Sequence, residues 1–86
     1  MYKVHVRPIV WKDLKPLPQA LKARLINQMT KLEKEPRPSG CKKLAGMESA
    51  WRVRIGDYRI LYTIHDTERT VTVYRVRHRK DVYRAR

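Results

Sequence analysis

Trp51-Arg52-Val53-Arg54-Ile55-Gly56-Asp57-Tyr58-Arg59-Ile60-Leu61-Tyr62 reads as two alternating strands joined by a Gly-Asp turn. Successive side chains of a strand project from opposite faces, so Trp51, Val53 and Ile55 share one side and Arg52 and Arg54 the other. If the turn pairs the two strands, Arg59 joins the arginine side. Three guanidiniums on one small patch repel one another unless an anion lies between them, so the pattern points to a phosphate site. A solvated strand face is the alternative reading of the same residues.

Upstream, Tyr2 to Arg7 alternates as a first strand, closed by Pro8, with Tyr2, Val4 and Val6 on one face. Val10, Trp11, Leu14 and Leu17 recur at helical spacing, and Pro16 and Pro18 divide a short helix from a longer one. In the second helix Leu21, Leu25, Ile26, Met29 and Leu32 form an apolar stripe, ended by Pro36. A turn-rich connector follows over Pro36 to Gly40, and Cys41 to Leu44 is a weak strand candidate. Downstream, Asp66 to Arg69 makes a turn and Thr70 to Arg77 alternates as a last strand. The expected fold is α+β: two N-terminal helices packed on one face of a small, mainly antiparallel sheet, with Arg52, Arg54 and Arg59 on the open face.

Eighty-six residues make one domain, 1–86, with room for a single core. Twenty-one Lys and Arg against eight Asp and Glu give a formal charge of +13. The excess is spread over both halves: residues 1–50 hold eleven basic and four acidic side chains, residues 51–86 ten and four. A body so charged favours nucleic acid, an anionic surface or an acidic partner that offsets its self-repulsion. Cys41 is the one cysteine, which leaves no disulfide framework and no zinc knuckle. The N-terminus alternates instead of presenting an apolar run, and nothing reaches the length of a membrane span, so a cytoplasmic location is expected.

The eight acids are scattered, which argues against a metal-dependent nuclease, and Asp57 and Asp66 read as turn residues. His5, His65 and His78 lack ligand spacing, and the three glycines form no phosphate loop. No metal and no cofactor is expected. The run from Arg75 to Arg84 gathers five cations, His78 and the phenol of Tyr83, a group able to stack on a base or carry a proton. The chemistry left open is metal-free RNA cleavage, in which the substrate's 2′-hydroxyl is the nucleophile and the protein aligns the backbone, offsets charge and moves two protons.

These residues resemble the RelE/ParE superfamily of bacterial toxin–antitoxin toxins, most of all its RelE branch. The likeness runs through the first strand, the two helices, Lys43-Leu44-Ala45-Gly46, the Trp51–Arg59 core and the closing His78-Arg79-Lys80-Asp81-Val82-Tyr83-Arg84. It implies a ribosome-dependent endoribonuclease that cuts mRNA in the A site by 2′-hydroxyl attack, silenced by an acidic, partly disordered antitoxin. Position by position, Arg52 and Arg54 match basic strand residues that contact substrate and assist the nucleophile, and Arg59 matches the arginine on the scissile phosphate. Arg79 matches the late arginine that stabilises charge, while a gap-free count back from Tyr83 selects Arg77. Tyr83 matches the C-terminal tyrosine that stacks on the base or moves a proton. Arg77, His78, Lys80 and Arg84 are expected at the substrate's edge. Some relatives carry lysine where this chain has Arg52 and Arg54, and a guanidinium stays protonated, so a base must come from His78, Tyr83 or the ribosome. Two alternatives share the scaffold: a ParE-like poison of DNA gyrase, and a nucleic-acid-binding homologue without catalysis.

Overall fold

The hairpin at Trp51 to Tyr62 forms the middle of a five-stranded sheet. The computed structural model describes residues 1–44, 46 and 49–82, without the side chains of Asp81 and Val82. In chain order the elements are β1 (Lys3–Val6), α1 (Pro8–Leu14), α2 (Gln19–Lys31), β2 (Lys42–Lys43), β3 (Ala50–Ile55), β4 (Tyr58–His65), β5 (Thr70–His78) and α3 (Arg79–Val82). The sheet order is β1-β5-β4-β3-β2. Every pairing is antiparallel except that of β1 with β5.

The two-residue turn fixes the register of the hairpin. Ile55 pairs with Tyr58 around Gly56 and Asp57, and Gly56 alone takes a positive φ, of 60°, as a tight turn twisted to suit its strands requires. From there Val53 faces Ile60 and Trp51 faces Tyr62. These residues meet Val10 and Leu14 of α1 and Leu25, Met29 and Leu32 at the end of α2, with Ile64, Val71, Val73 and Val76 completing the core. Full burial of each such side chain stabilises by about 1.5–3 kcal/mol. The α+β architecture and the helix-covered face match the expectation from sequence.

Several details differ. Pro8 opens α1 as well as following β1, because its fixed φ suits a first helical turn. The second helix ends at Lys31, well before Pro36. Pro36 is instead a buried anchor: the phenol of Tyr62, itself fully buried, donates a 2.8 Å hydrogen bond to its carbonyl. Next to it, Arg37 forms an ion pair with Asp66 at 2.8 Å and lies over the Trp51 ring at 5.1 Å, tying the connector to the β4–β5 turn and to β3. Trp11 and Ile26, expected on the core stripes, are 49% and 39% exposed. A short α3 follows β5 where the sequence shows only a basic run.

The last strand breaks its own alternation. Val73 pairs with Tyr62 and Arg75 with Leu61, so Tyr74 is an extra residue opposite an unbroken β4. This bulge lets Val73 and Val76, three positions apart, both enter the core. It also places Arg75 and Arg77 on the side of the sheet opposite the core. Strict alternation would have sent both into the core beside Val71 and Val73.

Candidate functional site

The site is a row of arginines across three strands. Arg54 of β3 stands opposite Arg59 of β4, and Arg59 stands opposite Arg77 of β5. Neighbouring strands lie about 4.7–4.9 Å apart, and residues in direct register share a face, so three guanidiniums leave the open side of the sheet from one line. Like charges placed directly opposite destabilise a sheet, and this row does so twice.

Each guanidinium is held differently. Arg54 Nε donates to the carbonyl of Gly56 at 2.8 Å, which fixes its fork beside the turn. Arg59 Nη1 and Arg77 Nε are shielded from water and have no hydrogen-bond partner among the described residues. A shielded, unspent donor on a permanent cation is costly, and an anion bound at the row would offset the charge of both guanidiniums. Arg52 belongs to the next row, opposite Leu61, with Lys42 of β2 on its other side. That row ends at Arg75, whose Nε and Nη2 bond the carboxylate of Asp13 at 2.9 and 3.0 Å. The backbone N–H of Val76 donates to the same carboxylate at 3.0 Å.

Of the residues expected from sequence, Arg52, Arg54, Arg59 and Arg77 come together on the open face. Of the two late arginines, Arg77 stands in the row; Arg79 is exposed at the first position of α3, where its N–H donates to the Asp57 carbonyl at 2.7 Å. That bond docks α3 on the β3–β4 turn, so Arg79 and Lys80 lie at the end of the row. His78 is not brought into it. It pairs with Tyr58, whose ring packs on the core side, in an edge-on contact with centroids 5.3 Å apart. Its Nδ1 accepts a 3.3 Å bond from the Lys80 N–H. Tyr83 and Arg84 lie outside the described residues. Among those described, no three His, Cys, Asp or Glu side chains gather as a metal site. The fixation of Arg75 by Asp13 was missed from sequence; the only signal was the Val73-x-x-Val76 spacing, which signals the bulge and hence the side on which Arg75 emerges.

A family model described as the ParE toxin of the type II toxin–antitoxin system parDE matches residues 3–83. The toxin RelG of Mycobacterium tuberculosis is 38% identical over 87 residues, covering 96% of this chain and 97% of that toxin. Among solved structures, the archaeal RelE–RelB complex from Pyrococcus horikoshii aligns with a TM-score of 0.81 at 30% identity, covering 91% of this chain and 94% of that one. The RelBE2 toxin–antitoxin complex of M. tuberculosis aligns at 0.77 and 32% identity, covering 90% and 96%. The fold is thus that of a toxin from a type II toxin–antitoxin system. The chain belongs to the ParE toxin family of the RelE/ParE superfamily, and its relatives there are RelE-type toxins.

Proposed function

We propose that this toxin is a ribosome-dependent endoribonuclease that cuts mRNA in the A site without a metal ion. The observation that carries the reading is the Arg54–Arg59–Arg77 row, three permanent cations in direct cross-strand register. The 2′-oxygen attacks the adjacent phosphorus, the bond from phosphorus to the 5′-oxygen breaks, and a 2′,3′-cyclic phosphate remains. Negative charge grows on the non-bridging oxygens, where Arg59 and Arg77 would donate; donors fixed in advance at that position are worth about 10²–10³ in rate each. Arg54, anchored to the turn, and Arg52 in the next row would hold the flanking backbone in line. The arginines cannot accept the 2′-proton, and His78 faces the other side of the sheet with Nδ1 engaged. Base and acid therefore fall to Tyr83 or to ribosomal groups, with Arg79 and Lys80 neutralising phosphates at the row's end. A protein that acts on translating ribosomes works in the cytoplasm.

The partner in this reading is a cognate acidic antitoxin. The similar structures from P. horikoshii and M. tuberculosis are toxin–antitoxin complexes, and a charge of +13 favours such a partner. The outer edge of β1 is open to it. Lys3 and Arg7 send their N–H groups to Arg69 and Val73 of the β5 side, so by alternation Val4 and Val6 turn theirs outward. Beside that edge runs a groove of about 550 Å³ lined by Trp11, Ile26 and Met29 among others.

Toeprinting of ribosomes on a defined message tests the reading: A-site breaks are expected with stoichiometric protein, and their absence refutes it. The family description names parDE, which favours one second reading, a gyrase poison. Purified gyrase trapped in cleaved complex with DNA would support that reading instead.

A further inference from the structure

One step from the arginine row, the open side of the sheet carries a buried leucine. Leu61 is only 7% exposed, yet it takes no part in the helix-side core, because it points away from it between Arg52 and Arg75. Tyr74, the extra residue of the bulge, is half-buried and likewise does not pack on that core. A Tyr74 ring lying over Leu61 on the arginine side of the sheet accounts for both observations. Burial raises its phenol's pKa further above the physiological range. Arg75, the cation that would otherwise cover this spot, is drawn to the strand edge by its paired bonds to Asp13.

We infer that Tyr74 is a base-contacting residue: its ring, backed by Leu61, takes the nucleobase next to the linkage gripped by Arg59 and Arg77. This rests on the RNA-cleaving reading above. The spacing suits it, since Leu61, which backs the ring, is two residues from Arg59 and so about 6.8 Å along the strand, a reach that a ribose spans between phosphate and base. A π-face accepts any base, so the contact adds grip and alignment with little sequence choice; stacking of this kind changes affinity by about 5- to 100-fold per base.

The test uses the full-length protein on ribosomes programmed with a message blocked by a 2′-O-methyl group at the scissile position and carrying 4-thiouridine next to it. Irradiation is expected to crosslink the thiobase to Tyr74 in the unaltered protein, read by mass spectrometry. In parallel, Tyr74→Leu should weaken binding to that message about 5- to 100-fold, with its salt dependence unchanged, and Tyr74→Phe should bind as the parent does. Arg59→Ala should instead lower the salt slope by about 1. No crosslink to Tyr74 and full binding by Tyr74→Leu, while the unblocked message is still cut, overturns the inference and leaves the cleavage reading standing. If the unblocked message is not cut at all, both fall. Should Tyr74→Leu fail to fold, the crosslink on the unaltered protein decides alone.

Discussion

Val73 and Val76 lie three residues apart on one strand and are both buried in the same core. A regular strand forbids this, and the residue that resolves the conflict, Tyr74, also decides where the arginines go. Because the chain slips by one position there, Arg77 comes into register with Arg59. The core and the site are therefore set by the same irregularity.

Deleting Tyr74 should expose that coupling. With the extra residue gone, Val71, Val73 and Val76 alternate onto the core face while Arg75 and Arg77 keep the open one, so urea unfolding of the deletion variant should lose less than about 2 kcal/mol, the cost of exposing one buried valine. A larger loss would mean that β5 depends on the bulge itself.

Arg59→Ala and Arg77→Ala should each lower single-turnover cleavage on ribosomes by about 10²–10³, and reduce ribosome association far less. The two cradle the same charge, so the double variant should lose less than the product of the single losses. Equal falls in cleavage and association for both variants would identify a binding module.

The hairpin was legible because period-two alternation and a two-residue turn leave one register, which placed Arg52, Arg54 and Arg59 together from sequence alone. Arg77 could not be chosen over Arg79, because the choice depends on a bulge that alternation of Thr70 to Arg77 conceals. Tyr2 to Arg7 announces a strand and one buried face, yet nothing in it encodes that β5 is its parallel neighbour. Apolar periodicity marked Trp11 and Ile26 as parts of stripes without showing that these stripes are wider than the sheet they cover. The four residues of α3 are too few for any helical period to register.

Asp66 should make acid stability depend on the connector. Its carboxyl accepts bonds from Arg37 and from the Tyr2 phenol, and these hold it down from the ordinary 3.8 to about 2. A carboxyl depressed in the folded state stabilises above its unfolded pKa and loses that contribution as pH falls through the folded value. Melting temperature should therefore drop between about pH 4 and pH 2, and Asp66→Asn should flatten that part of the profile while starting lower at pH 7. The pair is largely solvent-exposed, so the effect is modest. A variant with the same acid slope as the parent would remove Asp66 from this role.

Trp11→Ser, on the groove beside β1, should weaken inhibition by the cognate antitoxin and leave RNA cleavage intact. Truncating an aromatic anchor at an interface centre costs about 2 kcal/mol, so titration of antitoxin against cleavage should show roughly a 30-fold shift in that case. A titration superimposable on that of the parent would place the antitoxin elsewhere on the toxin.

Where β1 ends, the outer side of β5 would be left with bare hydrogen-bonding groups beside the most cationic part of the chain. The carboxylate of Asp13 occupies the Val76 N–H there, acting as a one-residue surrogate for the missing strand. A foreign strand arriving at that end must first evict a carboxylate clamped by Arg75, whereas at β1 it meets open valine amides. On this side of the sheet, recruitment by strand addition is thus steered to β1, away from the arginines.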